Sequence, residues 1–572
     1  MDSVEATPEF RRVRDLPRRT SDGAALVADL TDALSAPGGT QRLRALQARA
    51  LYDAMECRGL FAPLGVGEGK TLISLLGAYV LDAKRPLLLL PANLVQKTQR
   101  DREAYAKHWL VPRHVRLMSY EILGRAQSAS ELEAYRPDLI VCDEVHKLKN
   151  RRAAVTRRVS RYMHDHPETL FVALSGTIMR RSLLEFGHIL RWALKDGAPV
   201  PRTHDELEAW ASALDEDLSG RPGEELGRLE PGALLDLCNE EELRELPLTA
   251  ARRGFRRRLV DTPGVVASEG GGERVDCSIH LRALRYEVAA VTEQHFATLR
   301  EHWKLPSGET LSQGVDVWRH ARELALGLHY EWDPPAPDPW LEGRRAWAAF
   351  VRETLSRSRT LDSELQVAQA VAAGKLSDGG LLAAWKAIRD TFEPNTVPVW
   401  HDDSALRLCA GWLRTPGVVW TEHGFFAERL SEVTGVPYYG AQGLDANKRF
   451  IDDAPAGSSA IVSIDANREG RNLQTKWNRC LFTSPPEGAD VWQQAIGRFH
   501  RPGQTEDEVQ VDVLLGCAEH ANAFRKALAG ARAVQDTTGA ESKLLLADIE
   551  WPSDQEISKY CGARWGGEKE SP

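Results

Sequence analysis

Gly65–Thr71, reading GVGEGKT, places three glycines ahead of a lysine and a threonine. Glycines Gly65, Gly67 and Gly69 let backbone N–H groups approach a phosphate, and a helix opening behind them adds positive potential. Lys70 then reaches the β- and γ-phosphates of a nucleotide, and Thr71 turns its hydroxyl toward Mg2+. Farther along, DEVH (Asp143–His146) ends an apolar run. Acids at the carboxyl end of a buried parallel strand lie where α/β sheets bind ligands. Asp143 is expected to hold Mg2+, in part through water, and Glu144 to orient and deprotonate an attacking water. A third group, Gln494, Arg498 and Arg501, lies in WQQAIGRFHRPGQ (Trp492–Gln504). Arginines three apart on a helix share a face, so both can address charge spread over phosphate oxygens.

Such residues need a scaffold of buried strands. PLLLLP (86–91), VRLM (115–118), DLIVCDE (138–144) and TLFVALS (169–175) are short apolar runs separated by helical patterns. That signature predicts a parallel sheet covered on both faces. GVVWT (417–421), AIVSI (460–464), RCLFTS (479–484) and VQVDVLL (509–515) repeat it. The fold class is therefore α/β, with two lobes at 41–196 and 401–535. An arm (1–40) reads as a solvated tail, with a DNA-contacting arm carried by Arg11, Arg12, Arg14, Arg18 and Arg19 as the alternative, and 536–572 receives no role. Residues 197–400 read as a helical insertion holding eight of the sixteen tryptophans, which are expected to form its core; Glu331–Trp340 is a rigid connector.

The net charge of −9 argues against coating nucleic acid by bulk attraction, but about −10 of it falls in 197–400, leaving the lobes near neutral. The eight cysteines form no CxxC pair, as expected of reduced thiols. No apolar stretch of membrane length and no signal peptide occur. The expectation is a cytoplasmic protein with no membrane contact, in a bacterial or phage-infected cell.

Together these motifs resemble the superfamily 2 DExH helicases, and within them the Swi/Snf-type DNA translocases, in a compact form. DEVHKLKN (143–150), LRALQ (43–47), SYEIL (119–123), ALSGTIMRRSLLEF (173–186), VVWTEHGFFAERL (418–430), ANREGRNLQ (466–474) and the Gln494–Gln504 stretch carry the likeness. The resemblance implies two RecA-like lobes hydrolysing ATP with Mg2+ at an inter-lobe cleft, and stepping along double-stranded DNA. It implies that Gln47 reads adenine, that Gly470 lines the nucleotide, and that His146, Ser175 and Thr177 couple hydrolysis to motion. Arg498 and Arg501 become arginine fingers. Three positions depart from the family pattern: Leu64 stands where the phosphate loop's first glycine is usual, Ile178 where proline is, and Arg471 where leucine is.

A motor must hold backbone phosphates rather than bases. Lys147, Lys149, Arg151 and Arg152 are the first candidates, with Arg157, Arg158, Arg161 and Arg252–Arg258 behind them. Two other readings stay open: an RNA helicase, and an ATP-controlled clamp that anchors a protein partner through the insertion.

Overall fold

The computed structural model describes residues 2–19, 23–65, 67–176, 182–215, 229–267, 275, 277–311, 314–538, 542–553 and 555–557. The chain forms two compact units. The first comprises Met1–Gly272, Ala348–Gly380 and Gly530–Glu541; the second comprises Glu273–Trp347, Leu381–Ala529 and Ser542–Pro572.

Five strands build the first unit: β1 (Leu60–Pro63), β2 (Pro86–Leu90), β3 (Arg116–Ser119), β4 (Leu139–Asp143) and β5 (Leu170–Ser175). They pair in the order β1-β5-β4-β2-β3, all parallel. Side chains on a strand alternate between faces, and both faces are buried here. Leu87, Leu89, Ile140, Cys142, Phe171 and Ala173 join one core. Leu88, Leu90, Leu139, Val141, Val172 and Leu174 join the other. Burial on both sides is why these strands read as unbroken apolar runs.

The segment 1–40 departs from the solvated arm expected of it. Pro8–Arg14 is a helix whose Thr7 accepts the Phe10 N–H, and Phe10 and Val13 are fully buried in the first core. Arg12 donates to the carbonyls of Asp196, Ala198 and Val200. Its charges sit among prolines and acids, so hydropathy alone masks two apolar anchors three residues apart.

The second unit carries a seven-stranded parallel sheet. Its members are β6 (Ser278–Arg285), β9 (Val418–Thr421), β10 (Tyr438–Tyr439), β11 (Ala460–Ser463), β12 (Arg479–Phe482), β13 (Glu508–Leu515) and β14 (Asp548–Glu550). The order is β10-β11-β9-β12-β13-β6-β14. Between β6 and β9, β7 (Leu328–Trp332) and β8 (Thr396–Trp400) form an antiparallel pair. Both units thus have the RecA-like architecture, a parallel sheet flanked by helices.

Residues 197–400 are mostly helical, but their strands extend the sequence reading. β6 pairs with β13 along eight residues. It buries Ile279 and Leu281 between His280 and Arg282, an alternation that a search for continuous apolar runs passes over. The stretch that received no role also contributes, since β14 pairs with β6. Of the eight tryptophans, Trp210, Trp340 and Trp347 are buried and four are half-buried; Trp210 packs against Phe10 and Phe255 in the first unit's core. Trp340 packs on Trp332, Trp385 and Phe392. Trp303 is the exposed one, at 41 %.

Candidate nucleotide site

Three neighbouring strand ends bring the first group of candidates together. Register places Pro63 of β1 beside Ser175 of β5, and Leu174 beside Asp143 of β4. The glycine loop, the acid pair and the Ser175–Gly176 turn therefore leave the same carboxyl edge of the sheet. The helix Lys70–Val80 starts at the loop's end, which puts Thr71 in its first turn.

Lys70 lies across the loop, its Nζ 3.1 Å from the Leu64 carbonyl and 3.0 Å from that of Gly65. Gly69 has φ +77°, and a Cβ there would collide with the Gln47 amide. Only glycine meets both constraints. Gln47 is buried; its Oε1 accepts the Arg44 N–H at 2.9 Å and caps its own helix, while its Nε2 donates to the Glu68 carbonyl at 3.5 Å and links that helix to the loop. Arg44 also donates to the Gly67 carbonyl at 3.1 Å. Gly176 closes the other wall: a Cβ on it would stand 3.5 Å from Lys70 Nζ and 3.2 Å from the Leu64 oxygen.

Glu144 occupies the left-handed region, with φ 57° and ψ 51°. That conformation is costly for a residue with a Cβ, and such residues gather at functional sites. Ser175 donates its hydroxyl to Glu144 Oε2 at 3.0 Å. A serine hydroxyl has one proton, so His146 must supply the proton in the 3.0 Å contact between its Nδ1 and Ser175 Oγ. His146 Nδ1 is also 3.3 Å from Glu144 Oε2. Burial pushes the Glu144 carboxyl up, but Lys70, His146 and Ser175 outweigh it and hold the group well below the usual carboxylate range. Asp143 is buried, and the buried Tyr120 hydroxyl donates to its backbone carbonyl at 2.8 Å.

The donor set suits Mg2+, which commonly takes one or two carboxylates and completes its shell with water and phosphate oxygens. Asp143 and Thr71 would provide the protein oxygens. Among the described residues there is no cluster of three or more His, Cys, Asp and Glu able to hold a metal by itself.

The second group is compact within its own unit. Arg498 Nη1 and Arg501 Nη1 both donate to the Arg471 carbonyl, at 3.1 and 3.3 Å. Arg498 Nε also donates to the Gln494 carbonyl at 3.1 Å, and Arg501 to Asn472 Oδ1 at 2.8 Å. Gly470, with φ +76°, turns the chain into this loop. Arg471, at the position that departs from the family pattern, pairs with Asp452 at 2.6 Å. Arg498 and Gln494 are buried; Arg501 is half-buried, and burial lowers its guanidinium's pKa. The helix expected to carry both arginines ends earlier, at Ile496 with Gly497 as its cap. They share a face because the Phe499 and His500 N–H groups still bond the Ile496 carbonyl, continuing the winding for one turn.

Thr177 lies outside the described residues. Lys147 and Lys149 are half-buried, and Arg151 and Arg152 are exposed on the turn that follows. Among the further basic candidates, Arg158, Arg252 and Arg258 are corrected, because each is buried on other groups of the chain. Arg158 is buried on Asp362 at 2.7 Å, and Arg161 reaches the same carboxylate at 3.0 Å. Arg157 bonds the Leu361 carbonyl. Arg252 and Arg258 are buried and donate to the carbonyls of Leu214, Leu16 and Pro17. These arginines fasten chain to chain. Sequence reading gave no separate role to Tyr120 or Arg44, though both lie inside quoted motifs.

Compared with known proteins, the chain matches no protein-family model and no curated protein.

Proposed function

We propose that this protein is a nucleic-acid-dependent ATPase that moves along double-stranded DNA. The observation that carries the reading is the convergence of Lys70, Glu144, His146 and Ser175 at three adjacent strand ends, with Gln47 against the loop. Asp143 and Thr71 would hold Mg2+, which when bound would neutralise phosphate charge. Lys70 exchanges its two carbonyl partners for phosphate oxygens. Glu144 then orients the attacking water and accepts its proton as the bond to the γ-phosphorus forms and the bond from that phosphorus to the β,γ-bridging oxygen breaks, with ADP as the leaving group. Ser175 and His146 hold the carboxylate and register its change. Arg498 and Arg501 stabilise the transferring phosphoryl group, and residues of this kind are worth about 10³–10⁵ in rate.

Phosphate contacts on the Lys147–Arg152 turn suit a motor that must pass any sequence. The test is ATP turnover with matched duplex DNA, duplex RNA and single strands, alongside displacement of a third strand from triplex DNA. The expected result is stimulation by duplex DNA together with ATP-dependent displacement. Stimulation by RNA alone would make the chain an RNA helicase. Turnover without displacement would make it a clamp.

A further inference from the structure

We infer that Lys543 and His500 are positioning residues for the arginine pair, a role that rests on the ATPase reading above. His500 lies between Arg498 and Arg501 and is buried. Its Nε2 is 2.9 Å from the Cys277 carbonyl, and its Nδ1 is 2.9 Å from Lys543 Nζ. A lysine ammonium only donates, so Nδ1 must be the acceptor. The ring proton therefore sits on Nε2 and goes to Cys277. One tautomer satisfies both contacts, and the ring is fixed from both ends.

Two stretches remote in sequence meet at this ring. Cys277 immediately precedes β6. Lys543 opens the short helix Lys543–Leu546, and its own backbone N–H donates to Gln493 Oε1 at 2.6 Å. Gln493 is on the helix Ala489–Ile496 that leads to the arginines. Lys543 thus grips both that helix and the turn after it.

The turn needs such support. The helical ladder stops at Ile496; past it the N–H groups of 498–500 bond the carbonyls of Ala495 and Ile496, and the Phe499 carbonyl accepts from Gln504 Nε2 at 3.1 Å. The ring of His500 adds a hold on the chain between Arg498 and Arg501, beside the bonds their own guanidinium groups make to Arg471, Gln494 and Asn472. Misplacing a transition-state group by about 1 Å can cost on the order of 10² in rate. The neutral ring also adds no third positive charge beside two guanidinium groups.

The experiment uses the full chain with saturating duplex DNA, and varies ATP. Lys543→Met should lower kcat by about tenfold or more, with the KM for ATP and the thermal midpoint nearly unchanged. Lys543→Arg, which can still donate to Nδ1, should restore most of kcat. A wild-type kcat in Lys543→Met overturns the inference. A loss of kcat that follows a lowered midpoint, and that Lys543→Arg fails to restore, overturns it too, because the contact is then a simple clasp. Arg501→Ala separates this from the parent reading. A wild-type chain that hydrolyses no ATP defeats the ATPase reading itself, wild-type turnover in Arg501→Ala defeats the role of the arginine pair, and loss in Arg501→Ala with no loss in Lys543→Met defeats only the positioning role.

Discussion

Glu144 shows how much a single residue can hold in place. Its backbone takes a left-handed turn, its carboxylate accepts from Ser175, and its charge is kept by Lys70 and His146. Removing either end of that pair tests the site. Lys70→Ala should reduce ATP turnover to background while duplex DNA binding, followed by anisotropy, persists. Turnover near that of the wild type would refute the assignment. A second residue ties the start of the chain after the Ser175 turn to pH. Asp215 is buried and accepts the Leu183 N–H at 3.2 Å. Burial pushes its carboxyl up to about 7, against the bonds from Ser182 and Leu183 and the charge of Arg252. The unfolded chain releases that proton near pH 4. Between about pH 4 and 7 the folded state therefore holds the extra proton, and stability falls as pH rises through that window. Asp215→Asn keeps an acceptor for Leu183 without the charge. It should raise the melting temperature at pH 8 by several degrees, with a smaller gain at pH 5; calorimetry showing equal gains would contradict this. The residues that touch nucleotide in this reading were legible because their types repeat at telling spacings. Their supporters were not. Tyr120, Lys543 and Cys277 act through contacts made only by folding.

At the scale of elements, strands buried on both faces were readable because continuous apolar runs have few other uses. β6 escaped notice because it alternates, and β14 because three residues leave no pattern. The N-terminal helix was hidden by its arginines, although Phe10 and Val13 complete the core beneath Trp210. Phe10→Ala should destabilise the first unit by about 3–5 kcal/mol, as loss of a fully buried aromatic side chain does. Chemical denaturation would check it, and an unchanged midpoint would show the helix to be dispensable. The basic run Arg252–Arg258 carries the same lesson with the opposite sign. A cluster of cations suggests phosphate, yet Arg252 and Arg258 spend their guanidinium groups on backbone carbonyls.

For the whole molecule, charge and architecture divide the work. The acidic 197–400 stretch contributes to both units, through the Trp210 core in the first and β6 in the second. The account assigns nucleotide to the first unit's strand ends and the paired arginines to the second unit. No described helix is long and apolar enough to cross a membrane. The most direct test of the central claim is ATP turnover by the wild-type chain and by Glu144→Gln, side by side, with Mg2+ and saturating duplex DNA. DNA-stimulated turnover is expected in the first and none above background in the second, with ATP still bound. Equal rates in the two, or a wild-type chain that hydrolyses no ATP with any nucleic acid, would contradict it.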